Sequence, residues 1–127
     1  MDFEQFVNLV ANRADVAGWD RAQALINGTL RTLAERISGG EARDLAAQLP
    51  EEFKPSLSDA AETAETFTVD EFVRRVAGRA GVGDDTALKG ARAVMATVRD
   101  AVTSGEWDDI IAQLPKHYSE LIGSSTS

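Results

Sequence analysis

Apolar positions along the chain recur in steps of three and four, the spacing that gathers side chains on one face of an α-helix. Phe3, Phe6, Val7, Val10 and Ala14 form one such stripe, and Val69, Phe72, Val73, Val76 and Ala80 another. Ala22, Leu25, Ile26, Thr29, Leu30, Leu33 and Ile37 mark a longer run, matched by Ala87, Ala91, Val94, Met95, Val98 and Val102; about five turns each makes these the longest expected elements. Leu45 with Leu49, then Ile110 with Leu114, give a shorter third stripe that stops at Pro50 and Pro115, because proline disfavours helical geometry in the residue before it. Phe53 with Leu57, and Tyr118 with Ile122, predict a short fourth helix. No alternating strand pattern occurs, so the predicted class is all-α.

The stripes come in pairs because the sequence repeats itself. Phe6-Val7-Asn8-Leu9-Val10-Ala11-Asn12-Arg13-Ala14 returns 66 positions later as Phe72-Val73-Arg74-Arg75-Val76-Ala77-Gly78-Arg79-Ala80. Gly40-Glu41 through Ala47-Gln48-Leu49-Pro50 returns 65 positions later as Gly105-Glu106 through Ala112-Gln113-Leu114-Pro115, which places a one-residue deletion between Val82 and Ala87. Two copies are too few for a solenoid. The expected architecture is a compact helical bundle made from two tandem copies of a three-to-four-helix unit with approximate two-fold symmetry. The first copy spans 1–57, an acidic connector with room for a helical turn spans 58–68, the second copy spans 69–122, and 123–127 is expected to be a disordered tail. A copy of this size should be marginal alone.

Capping signals refine the helix ends. Thr68 with Glu71, Ser38 with Glu41 and Thr103 with Glu106 fit capping boxes, Phe67 can staple onto Phe72, and Asp2 with Gln5 gives a weaker box. Asp20, and Asp84 or Asp85, are the expected caps of the long helices. Gly39, Gly40 and Gly105 are expected in the left-handed geometry that ends a helix.

Composition then limits the chemistry. The 127 residues include no cysteine and one histidine, His117, which removes disulfides, thiol nucleophiles and most transition-metal sites. The net charge is −8 and neither copy is basic, so neither nucleic acid nor a membrane is an expected partner. There is no secretory leader pattern and no apolar run long enough to span a bilayer, so the expected location is cytoplasmic. No catalytic, cofactor-binding or metal-ligating residue is assigned, and no cofactor is expected.

Three groups of residues remain as candidates. Glu41 with Asp44, and Glu106 with Asp109, are acids three apart in matching first turns. Such pairs can contact a cation or a small ligand, although first-turn acids also complement the helix dipole without any ligand. Trp19 and Trp107 break the repeat, suiting either packing between the copies or contact with a partner. Arg74, Arg75 and Arg79, with Lys89 and Arg92 near them if the helix faces meet, can form a basic patch for an acidic partner or simply a solvated face.

The Ser38-Gly39-Gly40-Glu41 to Gln48-Leu49-Pro50 segment, its echo ending Ala112-Gln113-Leu114-Pro115, and the Asp70-Glu71-Phe72 helix opening together resemble the domain of unknown function 2267 family. The resemblance covers nearly the whole chain apart from the tail, and departs at Trp107 and Ile110 in the second copy. It implies a small doubled helical fold and a bacterial origin, and supplies no catalytic residues. The expected role is a helical interaction or adaptor module that binds an unknown protein partner or itself. The alternative is a regulatory protein that binds a small molecule or cation in a pocket between the repeats.

Overall fold

The computed structural model describes residues 1–58 and 60–123, all helix, turn or irregular backbone with no strand among them. The helices are α1 (Phe3–Ala14), α2 (Trp19–Arg36), α3 (Gly39–Gln48), α4 (Lys54–Leu57), α5 (Val69–Ala80), α6 (Asp84–Ala101), α7 (Ser104–Ala112) and α8 (Ser119–Ile122), with single 3-10 turns at Glu51–Phe53 and Lys116–Tyr118. Helices α1 and α5 each hold 12 residues, α2 and α6 each 18, and α4 and α8 each 4. Residues 124–127, the larger part of the expected tail, lie outside the described residues.

Each half leans on the other. α1 packs on α6 as well as on α2, and α2 packs on α5 and α6, so the four long helices share one core. Phe6, Leu25, Leu30, Leu33, Phe72, Met95 and Val98 are completely buried there, and burying a side chain of this size contributes about 1.5–3 kcal/mol. α4 covers α2 and α8 covers α6, setting Phe53 and Tyr118 under the ends of the bundle. Phe53 stacks 4.9 Å from Phe6, and Tyr118 meets Phe72 edge-on at 5.9 Å. In α8 it is Leu121, not the expected Ile122, that is fully enclosed.

Polar contacts between the halves recur at matching positions. Arg79 donates to Thr32 Oγ1 at 2.9 Å and to Glu35 at 2.6 and 2.9 Å; Arg13 donates to Thr97 Oγ1 at 3.1 Å and Asp100 at 2.6 Å. Each threonine is buried and donates its own hydroxyl to the carbonyl four residues earlier, Gly28 or Ala93. Both hydroxyls are thus satisfied twice inside the core, which removes the usual cost of burying them.

Several helix ends differ from expectation. Asp2 and Gln5 form the complete reciprocal box, whereas Thr68 accepts from Glu71 N while the Glu71 carboxylate turns to Arg74 and Arg75. Gly18 and Gly83, not the aspartates, occupy the N-cap positions of α2 and α6. Asp20, Asp84 and Asp85 sit within the first turns, where they still favour the positive end of the helix dipole. Left-handed backbone closes α1 at Asp15 and α5 at Gly81, while Gly39 and Gly105 lie in helical turns. Gly39 answers a different need: a Cβ there would meet the Ala61 carbonyl oxygen at 2.8 Å. That close approach belongs to the connector, which forms no helical turn among its described residues and is tied down instead. Gly39 N donates to Glu62 O, Glu65 N to Glu35 O, and Tyr118 Oη to Phe67 O.

The repeat also contains one complementary size difference. Leu25 and Gly90 occupy corresponding positions, and a Cβ on Gly90 would lie 2.5 Å from Leu25 Cδ2, so one helix supplies the volume that the other leaves out. Gly90→Leu should therefore destabilise by roughly 1–3 kcal/mol through overpacking, and Leu25→Gly by roughly 2–5 kcal/mol through a cavity. In urea unfolding the double exchange Leu25→Gly/Gly90→Leu should cost less than the sum of the singles by at least about 1 kcal/mol. Additive losses would remove the proposed complementarity.

Candidate functional site

The starts of α3 and α7 lie together at the boundary between the halves. Ser38 caps α3 by accepting from Glu41 N at 3.2 Å, and Thr103 caps α7 by accepting from Glu106 N at 3.1 Å. A complete capping box would bring each glutamate back to the backbone N–H of its own cap residue. Glutamines from the opposite half take those positions: Ser38 N donates to Gln113 Oε1 at 2.7 Å, and Thr103 N donates to Gln48 Oε1 at 2.8 Å. Gln113 Nε2 also donates to Ser38 Oγ. The glutamates are released from capping and turn toward each other.

Glu41 and Glu106 are only 9% and 6% exposed. One oxygen of each lies within 4.8 Å of the other and of an oxygen of Asp109. Oε2 of Glu41 and Oε2 of Glu106 are enclosed without a hydrogen-bond partner. Among the described residues no lysine or arginine pairs with this trio. Burying unpaired carboxylates is costly, and the usual relief is to hold a proton or a counter-charge. Burial first, and then the neighbouring Glu41 carboxylate with the charges of Asp44 and Asp109, push Glu106 up to about 8. Asp109 and Asp44 are exposed; Asp109 completes the cluster, while Asp44 acts on it through its charge.

The remaining candidates separate. Trp107 is 8% exposed and belongs to the core, whereas Trp19 stays 39% exposed. Its ring meets Phe3 edge-on at 5.9 Å and Nε1 donates to Asn8 Oδ1 at 3.0 Å, so it rests on its own half. Arg75 reaches Glu71, Glu35 and Glu65 at 2.9, 2.9 and 3.2 Å and lies 4.0 Å over the Phe67 ring. With Arg79 it holds the Glu35 carboxyl below the usual range, the Arg79 hydrogen bond contributing most. Arg74 pairs with Glu71. Arg92 donates to the Glu120 carbonyl, and Lys89 borders Ala14 and Asp15 at the end of α1. The basic patch is thus largely consumed by internal acids. His117 is exposed beside Tyr118. An apolar depression of about 720 Å³ is bordered by Trp107, Ile111, Leu114, Pro115 and Ile122.

Gln48 and Gln113 are the residues that sequence reasoning passed over. The available signal was their place in the repeated Ala-Gln-Leu-Pro block of both copies.

Fold and site together define a small all-helical protein whose halves meet over a buried acidic pair. The chain belongs to the family described as "Uncharacterized conserved protein (DUF2267)", whose model matches residues 3–121. No curated protein matches it. No helix among the described residues is long and apolar enough to cross a membrane.

The acidic pair gives a defined pH dependence. Glu106 keeps its proton in the folded state to about pH 8 from an ordinary value of 4.5, so the folded chain holds more protons than the unfolded chain between those values. Stability from this group is complete below the lower value and falls as pH rises through the higher one, by at most about 1.4 kcal/mol per pH unit for one linked proton. Glu106→Gln should flatten the decline in urea-derived stability between pH 6 and pH 8.5 and leave the variant the more stable protein at the alkaline end. Parallel curves for the two proteins would exclude the coupling.

Proposed function

We propose that the protein is a regulatory binding module whose ligand binds the carboxylate cluster between α3 and α7. The observation that carries this reading is the enclosed pair Glu41 and Glu106, each with one carboxylate oxygen that has no hydrogen-bond partner. A ligand carrying positive charge would replace the missing counter-charge. Because the two carboxylates come from different halves, it would also strengthen the contact between them. Ligand concentration would then be read as cohesion of the bundle, since anything that binds only the folded state adds RT ln(1 + [L]/Kd) to stability.

Protein docking is the second reading, favoured by the apolar depression beside Trp107. It has lost support from Arg75 and Arg79, which are engaged inside the chain, and from Trp107, which is part of the core.

A thermal-shift screen with metal ions and small amines tests the first reading. At a ligand concentration of about 100 times Kd the gain should be about 2.7 kcal/mol, an increase of several degrees in Tm for a chain of this size. Glu41→Gln/Glu106→Gln should abolish that increase while retaining the helical circular dichroism spectrum. A ligand whose effect survives the double substitution would place binding elsewhere.

A further inference from the structure

We infer that Glu41, Glu106 and Asp109 form a site for a hard divalent cation, calcium in preference to magnesium, seated between the first turns of α3 and α7. This rests on the reading of the carboxylate cluster as the ligand site and names its ligand. Two independent kinds of observation meet there. Three carboxylate oxygens from two helices converge within 4.8 Å. Separately, two of the carboxylates are more than nine-tenths buried and each keeps an oxygen with no partner, although the usual use for a glutamate at this helix position has been taken over by Gln48 and Gln113. Arg36, the other buried charged side chain among the described residues, also keeps its Nε without a hydrogen-bond partner, but its guanidinium lies 5.5 Å over the Tyr118 ring.

Ligand chemistry narrows the choice. All three groups offer oxygen, the chain has no cysteine, and its one histidine lies outside the trio, which suits hard cations over those that favour nitrogen or sulfur. Calcium takes about six to eight oxygen ligands in flexible geometry, whereas magnesium demands near-ideal octahedral geometry and gives up its water reluctantly, so carboxylates converging from two helices favour calcium. The three oxygens all lie within 4.8 Å of one another, so one hard cation can contact them with small side-chain adjustments. Asp109 is exposed, leaving a solvent side from which water can complete the coordination. An ion there would link α3 of one half to α7 of the other.

Isothermal titration calorimetry on the full chain, with calcium chloride, magnesium chloride and small amines such as putrescine in separate arms, tests the assignment. Calcium should bind at one saturable site with Kd of roughly 10⁻⁵–10⁻³ M, and magnesium more weakly. Glu41→Gln/Glu106→Gln and Asp109→Asn should each weaken calcium at least tenfold. Asp108→Asn, which removes the same charge from an exposed position on the same helix, should leave it unchanged. Asp109→Asn alters only an exposed side chain and keeps the test valid if the buried double variant fails to fold. Equal calcium binding by all variants would assign the ion to scattered surface acids and overturn the site. Tighter magnesium than calcium would overturn the preference for calcium. No calcium binding beside an amine whose binding the double substitution abolishes would overturn the metal while preserving the cluster as the ligand site; no binding in any arm would overturn both.

Discussion

The arrangement at the centre of this protein depends on an exchange of two glutamines. Gln113 reaches the start of α3 and Gln48 the start of α7, each accepting from the backbone N–H of a cap residue in the opposite half. A backbone N–H has one proton to donate, so a glutamate three residues into the same helix cannot also take it. The exchange fixes the distance between the two helix starts and decides where their glutamates go. Glu41 and Glu106 face one another because the capping position each would otherwise fill is occupied from across the boundary.

The same reciprocity runs through the larger core. Arg79 joins α5 to Thr32 and Glu35 on α2, while Arg13 joins α1 to Thr97 and Asp100 on α6. These are partly exposed charge-assisted bonds, each of modest energy. Most of the stabilisation comes from the apolar stripes beneath them, and the polar contacts fix which helix faces meet. A helix can slide or turn on an apolar neighbour at small cost, but not without breaking a bond to a buried threonine hydroxyl.

The helices were legible because their apolar spacing is strong and repeated. The stripes of Phe6, Val7 and Val10, and of Leu25, Ile26, Leu30 and Leu33, enter the core as their periodicity requires. Ends were less legible, since a cap is chosen by competition among acceptors. Ser38, Thr68 and Thr103 are the caps their positions suggest, but none of the acids expected to complete the boxes does so: Glu71 turns to Arg74 and Arg75, and Glu41 and Glu106 give way to Gln113 and Gln48. Their competitors, Gln48, Gln113, Arg74 and Arg75, lie too far along the chain or too deep in the helix to be weighed by a local motif. For the same reason the acids at 41, 44, 106 and 109 could be named from sequence as pairs within each copy, while the pairing across copies could not. The arginines show the reverse case: a cluster in sequence, neutralised in space by Glu35 and Glu65 from segments that precede the helix.

The two copies have diverged wherever packing allowed it. Leu25 faces Gly90, Ala42 corresponds to Trp107, and Phe53 corresponds to Tyr118, whose hydroxyl gains a bond to the Phe67 carbonyl. Each change alters volume or adds a polar contact that its surroundings accommodate. Glu41 and Glu106 differ from these because they are identical, mutually repulsive when ionised, and enclosed. A glutamine at either position would remove one charge and provide an amide donor for the other carboxylate, a simple way to relieve the pair. Two glutamates instead rely on the proton that Glu106 holds to about pH 8, and a cation that displaces that proton would be bound where the two halves meet.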